Sequence, residues 1–447
     1  MTQNGTPHPF ITRPHRTMLA LSFPVLLSLI AEPLTGLVDT AFVAQLGATA
    51  QAALGVGTAA LSTVFWVFNF LGVGTQTEIA QAAGQDAATA SSRATRINGL
   101  ALSLSAVISL LVIVLGWPLA PMAARLLGAT DTLQETAVIY MRIRLFGAPP
   151  MLAMLAAFGT LRGMQDMRTP LWIAVTVNAI NIALDALLIP GWGAIPAMGI
   201  SGAALASTIA QWIGGVWVVT AVIRRLGWPA NLHWREAQRL LQIGGDLFVR
   251  TGLLTLYLLI TTRVATRIGS NSGAAHQAIR QVWFFTALGL DALAITAQSL
   301  AGYFIGLNRI DQARRVALIS SGWSFLLGIL LAIGQWLLTG FVARWLIPET
   351  AVAVFGTPWL ISAAFQPINA LAFVTDGLHW GTGDFRFLRN VVMLATFIAT
   401  ATLLLVDVES PTALTSVWLT TCLWIAIRAL LGMLRIWPGI GQSPYRK

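Results

Sequence analysis

Two carboxylates stand where a carboxylate is costly. Asp39 lies within LSFPVLLSLIAEPLTGLVDTAFVAQLG and Asp185 within LWIAVTVNAINIALDALLIPG, both otherwise almost wholly apolar. An acid at bilayer depth faces a water-filled cavity or a partner, and marks an ion or substrate path. Each acid belongs to a polar stripe. Glu32, Thr35 and Asp39 follow the spacing i, i+3, i+7, and so do Asn178, Asn181 and Asp185. That spacing places three side chains on one helix face. Turned toward lipid, the stripes would leave several polar groups unsatisfied. Turned inward, they gather carboxylates, amides and a hydroxyl in one place. Ser201 and Thr208 have the spacing to add hydroxyls.

Such a set supports two chemistries. It can hold Na⁺ at Asp39, Asp185 and Asn181, because hard cations prefer oxygen ligands. It can also trap a proton, because two carboxylates in one dry site do not both keep their charge. The residue types leave these open, together with a third reading in which the stripes only hydrogen-bond helix to helix. Pro24 lies in the same run as Asp39 and removes a backbone hydrogen bond there. A change of charge on Asp39 is therefore expected to alter how that helix bends.

The elements that must position these residues are membrane helices. The chain has 447 residues, of which 56% are hydrophobic and 10% charged, and its mean hydropathy is +0.74. A soluble domain carries about 25% charge, so a soluble fold is excluded. A spanning helix needs about 20 apolar residues. Twelve runs qualify, at 18–42, 50–78, 95–117, 136–160, 170–190, 199–223, 240–266, 276–300, 316–338, 355–379, 388–406 and 412–434. The expected fold is all-α and integral to the membrane. Pro or Gly breaks mark runs 1, 2 and 10 as the ones expected to bend.

The basic residues orient the chain. Arg125, Arg263, Arg267 and Arg344 fall on one side, whereas most of the other Arg residues, with Lys447, fall on the opposite side and at the two ends. The positive-inside rule then places both termini in the cytosol. The net charge of +10 faces anionic lipid heads rather than nucleic acid, since no aromatic–basic interleaving accompanies it. The N-terminus carries no cleavable signal by pattern. Residues 1–17 are expected as a cytoplasmic tail, 18–223 as a first lobe, 224–239 as a cytoplasmic linker with an interfacial helix, 240–434 as a second lobe and 435–447 as a cytoplasmic tail.

The chain also repeats itself. QLGATAQAAL at 45–54 resembles RIGSNSGAAH at 267–276, and one common offset aligns Gly47 with Gly269, Gly84 with Gly306 and Arg93 with Arg315. A second offset aligns GMQDMRTP at 163–170 with GTGDFRFL at 381–388. Two six-helix lobes related by pseudo-symmetry follow, entering the membrane from the same side because six is even. The acids are not duplicated. Asp39 corresponds to Thr261, and Asp185 falls near Leu403.

Other charges sit within spans. Asp246 and Arg250 are spaced i, i+4 and are expected to neutralise each other. Arg280 and Asp291 share a face and are expected to pair or to contact substrate. Met151, Met154 and Trp283 are candidates for lining an apolar cavity that takes bulky ligands. No GxxxxGK[ST], HExxH or GxSxG motif is present, so neither ATP-driven transport nor an enzyme is expected, and no cofactor. The single cysteine, Cys422, excludes an internal disulfide.

In order along the chain, FPVLLSLIAEPLTGLVDTAFVAQLG, AQAAGQD, YMRIRLFGAPP, LRGMQDMRTPLWIAVTVNAINIALDALLI and MGISGAALASTIAQ resemble the multidrug and toxic compound extrusion (MATE) transporters. The segments LGLDALAITAQSLAGYFIGLNR and FQPINALAFVTDGLHWGTGDFR are similar to the DinF-like branch of that family. The resemblance implies two lobes forming a V, and antiport in which inward H⁺ or Na⁺ drives export of amphipathic, often cationic compounds. It implies a cation site in the first lobe at Asp39, Asp185 and Asn181, with Ser201, Ser207 or Thr208 standing for a helix 6 threonine. Glu32 departs from the usual apolar or amide residue. The DinF-like second half favours H⁺. A bacterial inner membrane, a small-molecule substrate and a monomer are expected. The alternative is a lipid-linked precursor flippase, which needs a strongly cationic cavity; Arg142, Arg144, Arg250 and Arg280 are its candidates.

Overall fold

Long apolar runs free of polar interruption fold as helices, because only a helix satisfies every backbone group within itself in lipid. A computed structural model describes residues 7–85, 87–193, 195–228 and 234–446. Its helices are α1 (Pro9–Thr12), α2 (Pro14–Ala44), α3 (Ala48–Val67), α4 (Phe70–Ala83), α5 (Ala87–Leu126), α6 (Asp131–Leu145), α7 (Ala148–Gly163), α8 (Arg168–Leu188) and α9 (Ile200–Leu226). They continue as α10 (Trp234–Ile268), α11 (Ser270–Gly306), α12 (Ile310–Leu337), α13 (Thr339–Leu346), α14 (Val352–Ala364), α15 (Gln366–Thr382), α16 (Phe385–Leu404) and α17 (Ala413–Ile436). Ten helical spans are long and apolar enough to cross a membrane, and two bent pairs complete twelve. The all-α membrane architecture read from the sequence is the one observed.

The breaks fall partly elsewhere than expected. Run 1 is one unbroken helix, α2, through both Pro24 and Pro33. Run 10 is bent by 48° where α14 meets α15. Run 4, not expected to bend, turns by 50° between α6 and α7. Its break at Phe146–Gly147 precedes Pro149 and Pro150, and the break at Phe365 precedes Pro367. Proline lacks the N–H that would continue the previous turn. Pro149 and Pro367 occupy equivalent repeat positions, so the two bends fall at equivalent places in the two halves.

The backbone packs in two compact units. One is Phe23–Gly244; the other joins the segment up to Ser22 with the chain from Gly245 onward. The first helix of each half therefore starts in one unit and continues into the other. Phe23 and Gly245, where the two helices change unit, are equivalent repeat positions. In the second unit the Ser22 hydroxyl donates to Thr296 at 3.0 Å, and Phe10 is buried. The linker expected over 224–239 is described only at its two ends. Residues 224–226 end α9 and 234–239 open α10; residues 229–233 lie outside the described residues, as do 1–6 and 447 of the two tails.

Within each unit one helix crossing is closest. A Cβ at Gly159 of α7 would meet the Gly72 carbonyl oxygen of α4 at 2.3 Å, and one at Gly163 would meet the Gln76 carbonyl at 2.8 Å. A Cβ at Gly377 of α15 would meet the Ala294 carbonyl of α11 at 2.2 Å, and one at Gly381 would meet the Gln298 carbonyl at 2.4 Å. These are equivalent positions at equivalent crossings. Small residues four apart let membrane helices approach this closely. Both repeat loops also hold an arginine from the last span of their half: Asp166 pairs with Arg225 of α9, and Asp384 with Arg435 of α17 at 2.8 Å.

Candidate functional site: a carboxylate pair between α2, α8 and α9

Asn181 and Asp185 lie one turn apart on α8, and both are buried, Asp185 completely. The loop after α8 folds back tightly. Met198 N donates to Leu188 O at 3.0 Å and Gly199 N to Ile189 O at 3.1 Å. This clamp lays α9 along α8 and brings Ser207 against Asn181. With the Asn181 amide nitrogen toward α2, it donates to Asp39 Oδ1 at 3.1 Å, and its oxygen accepts from Ser207 N at 3.1 Å and Ser207 Oγ at 3.3 Å. The opposite orientation would set the amide oxygen against the carboxylate, acceptor to acceptor, so hydrogen bonding fixes this one. The side chains of Asp39 and Asp185 are within hydrogen-bond reach of each other.

Neither oxygen of Asp185 meets a donor from the protein, although both are buried. Ionised carboxylates only accept, so the contact between Asp39 and Asp185 is complete only with a proton or a cation between them. The oxygens of Asp39, Asp185, Asn181 and Ser207 form a hard donor set that suits Na⁺ as well as H⁺. The geometry leaves both chemistries open.

The rest of the two stripes takes other places. Thr35 is buried and turns its hydroxyl back onto Ala31 O at 3.1 Å. Asn178 is half-buried and makes no hydrogen bond to the pair. Glu32 is exposed and feels the charge of Arg144, which also reaches Asp39 and Asp185. Thr208 donates to Ala204 O at 2.8 Å within its own helix. Pro24 is buried in the same unit. The sequence reading had no sign that Arg144 of α6 belongs near these acids. It lies at the end of α6, where a polar residue is commonplace, and only the bend in span 4 gives it another meaning.

The candidate cavity residues divide between the units. Met151 lies 4.0 Å by its sulfur from Gln211 Nε2, and Met154 packs with Ala157, Ile173 and Val218 between α7, α8 and α9. Trp283 packs in the second unit with Tyr257 and Trp424. Arg280 donates to Thr262 Oγ1 at 3.1 Å and lies over the Phe284 ring; it does not pair with Asp291. Asp291 instead adds its charge to the surroundings of Arg428. The expected Asp246–Arg250 pair does not form either. Asp246 accepts from Arg389 at 2.6 Å, and Arg250 binds Asp376, which also accepts from Arg428 at 2.7 Å. Partners on neighbouring helices approach more directly than a residue one turn along the same helix.

Two pseudo-symmetric six-helix halves with an acid pair inside one of them define a polytopic membrane protein of the transporter type. The MatE family model matches residues 24–187 and again 247–406. The chain belongs to the MatE family, and its two matches are its two halves. It is 32% identical over 469 residues to Protein DETOXIFICATION 44, chloroplastic, of Arabidopsis thaliana, covering 98% of this chain and 85% of that one. It is 28% identical to DNA damage-inducible protein F of Escherichia coli, covering 96% of this chain and 93% of that one. Among solved structures, a MATE in a bent conformation superposes with a TM-score of 0.85 at 19% identity, covering 94% of each chain. The chain is thus a multi-pass membrane protein of a multidrug transporter family.

Proposed function

We propose that this protein is a secondary active antiporter that exports amphipathic, often cationic drugs or metabolites in exchange for H⁺ or Na⁺, and that the Asp39–Asp185 pair is its coupling site. The observation that carries the reading is the pair itself: two carboxylates within hydrogen-bond reach, joined to α9 through Asn181, inside a helical unit. Such a pair takes up one positive charge far more readily than it stays doubly ionised. A bound ion changes which partners α2 can hold, and Pro24 gives that helix a point at which to respond. H⁺ is the favoured ion on the DinF-like character of the second half. On this reading the protein acts as a monomer in a bacterial plasma membrane with both termini on the cytosolic side, which the distribution of basic loops supports.

The flippase alternative loses support from the arginines it needs. Arg250 is bound to Asp376 and Arg144 donates to Gln211 at 2.9 Å. The deciding experiment is substrate efflux from proteoliposomes under an imposed gradient of H⁺ or of Na⁺. Wild type is expected to move substrate uphill with one of the two, and Asp39→Asn to lose that coupling. Undiminished coupled transport by Asp39→Asn sinks the assignment.

A further inference from the structure

The bend in span 4 is built around a charge. Arg144 sits in the last turn of α6, next to the break, and its Nη1 donates to Gln211 Oε1 of α9 at 2.9 Å. A Cβ on Gly147 would meet that same Gln211 oxygen at 2.4 Å, so only glycine leaves room for the contact. Trp212 Nε1 donates to the Phe146 carbonyl, which the break has freed, at 3.0 Å. Gln211 and Trp212 together thus brace the bend. Gln211 lies one turn from Ser207 on α9, and Ser207 holds Asn181 and through it Asp39. One turn is about 5.4 Å. The same face of one helix therefore carries the acid pair at one level and the guanidinium at the next. No carboxylate lies within ion-pair distance of Arg144 among the described residues, and its charge reaches Glu32, Asp39 and Asp185 alike.

We propose that Arg144, aimed by Gln211 through the glycine break at Gly147, is the fixed counter-charge of the carboxylate site and sets how tightly that site holds its coupling ion. The inference rests on the reading of Asp39 and Asp185 as the coupling site. Without a fixed cation, the Asp39–Asp185 pair would hold a positive ion more firmly and release it more slowly. A guanidinium that acts by charge and is not in contact weakens that hold while leaving the carboxylate oxygens open to the ion. Arginine suits this place because it keeps its charge when buried.

Few other charges compete. On α2 the groups facing this region are Glu32 and Asp39, and on α8 Asp185. On α6 itself, Arg142 turns to the Trp117 ring at 5.1 Å, and Tyr140 packs where a Gly57 Cβ would stand. Helix α3 has no acidic or basic residue. Those of α9 are Arg224 and Arg225 in its last turn, those of α5 are Arg93, Arg96 and Arg125, and that of α7 is Arg162 in its last turn.

The test uses the full chain in proteoliposomes, titrated with H⁺ and separately with Na⁺, and reads the half-saturating ion concentration and the maximal rate apart. Arg144→Gln is expected to lower the half-saturating concentration about tenfold and to lower the maximal rate, because release slows. Gln211→Leu should shift it the same way by less, and Arg144→Lys should restore most of it. Should Arg144→Gln fail to fold, Gln211→Leu and Arg144→Lys carry the comparison. Unchanged or raised half-saturation in Arg144→Gln and Gln211→Leu overturns the proposal, while loss of coupling in Asp39→Asn would still uphold the coupling site. Coupling retained by Asp39→Asn overturns both.

Discussion

Both units lock a buried acid between arginines, as the unit Phe23–Gly244 does with Glu78 between Arg93 at 3.0 Å and Arg239 at 2.7 Å, but only that unit also holds an acid pair without them. In the unit Phe23–Gly244, Asp39 and Asp185 face each other, and the guanidinium nearest to them by charge, that of Arg144, bonds to an amide instead. In the other unit, Asp376 lies between Arg250 and Arg428, both themselves buried, and Asp246 holds Arg389. The guanidiniums there are further covered by aromatic faces, Arg250 by Trp380 at 5.0 Å and Arg428 by Trp424 at 4.6 Å. A buried acid with its own arginines has no need of an outside ion. On the proposed reading, a buried acid pair without them takes up such an ion. One duplicated scaffold thus carries a locked ionic cluster in each unit and an open acid pair in only one.

Four substitutions break or sharpen this contrast. The largest effect on transport is expected from Asp185→Asn, which should abolish ion-coupled efflux while the purified protein stays monodisperse. Loss of expression instead would make Asp185 a structural residue and erase the contrast. The largest effect on stability is expected from Asp376→Asn. It strands two buried guanidiniums, at a cost of about 3–5 kcal/mol, visible as a lowered unfolding midpoint in detergent. If Asp376→Asn proved as stable as wild type, the second cluster would not be a lock.

A smaller effect concerns α2. Spin labels flanking Pro24 should report a distance change as pH is lowered in wild type and none in Asp39→Asn; a rigid wild-type helix removes Pro24 from the mechanism. The smallest effect is at the loop before α8. Burial by itself raises the Asp166 carboxyl, but hydrogen bonds from Thr169 and the Arg225 guanidinium together outweigh it and hold the group below the usual carboxylate range. A lowered folded-state value means that its stabilisation is complete above the ordinary range near pH ~4 and fades as pH falls through the lowered value. Its partner is partly exposed, so Asp166→Asn should cost only about 1 kcal/mol at neutral pH and flatten that acid dependence. A stability profile indifferent to the substitution would contradict this role for Asp166.

Much of this was legible in residue order. The spans follow from apolar length, and the halves follow from Gly47, Gly84 and Arg93 with their counterparts. The meeting of Asp39, Asn181 and Asp185 was legible because each lies on a stripe that lipid would not tolerate. Other features were missed. The i, i+4 rule paired Asp246 with Arg250, but helices α16 and α15 supply closer partners from afar in sequence. The bend in span 4 carried the same Pro and Gly signal, in FGAPP, as the runs expected to bend, and the expectation passed over it. Arg144 stood out only as a cation for the flippase alternative, with nothing in residue order to set it beside the acids.

Local periodicity and hydropathy by themselves determined the helices, the duplication and the polar faces, because these depend on neighbours a few residues apart and on the solvent. Only tertiary structure decided which charge meets which. That choice depends on how each helix is rotated and where it bends, and it sums interactions among residues far apart in the chain. The sequence put acids and arginines inside the membrane; packing joined acids to arginines in both units and left one acid pair open in the unit Phe23–Gly244.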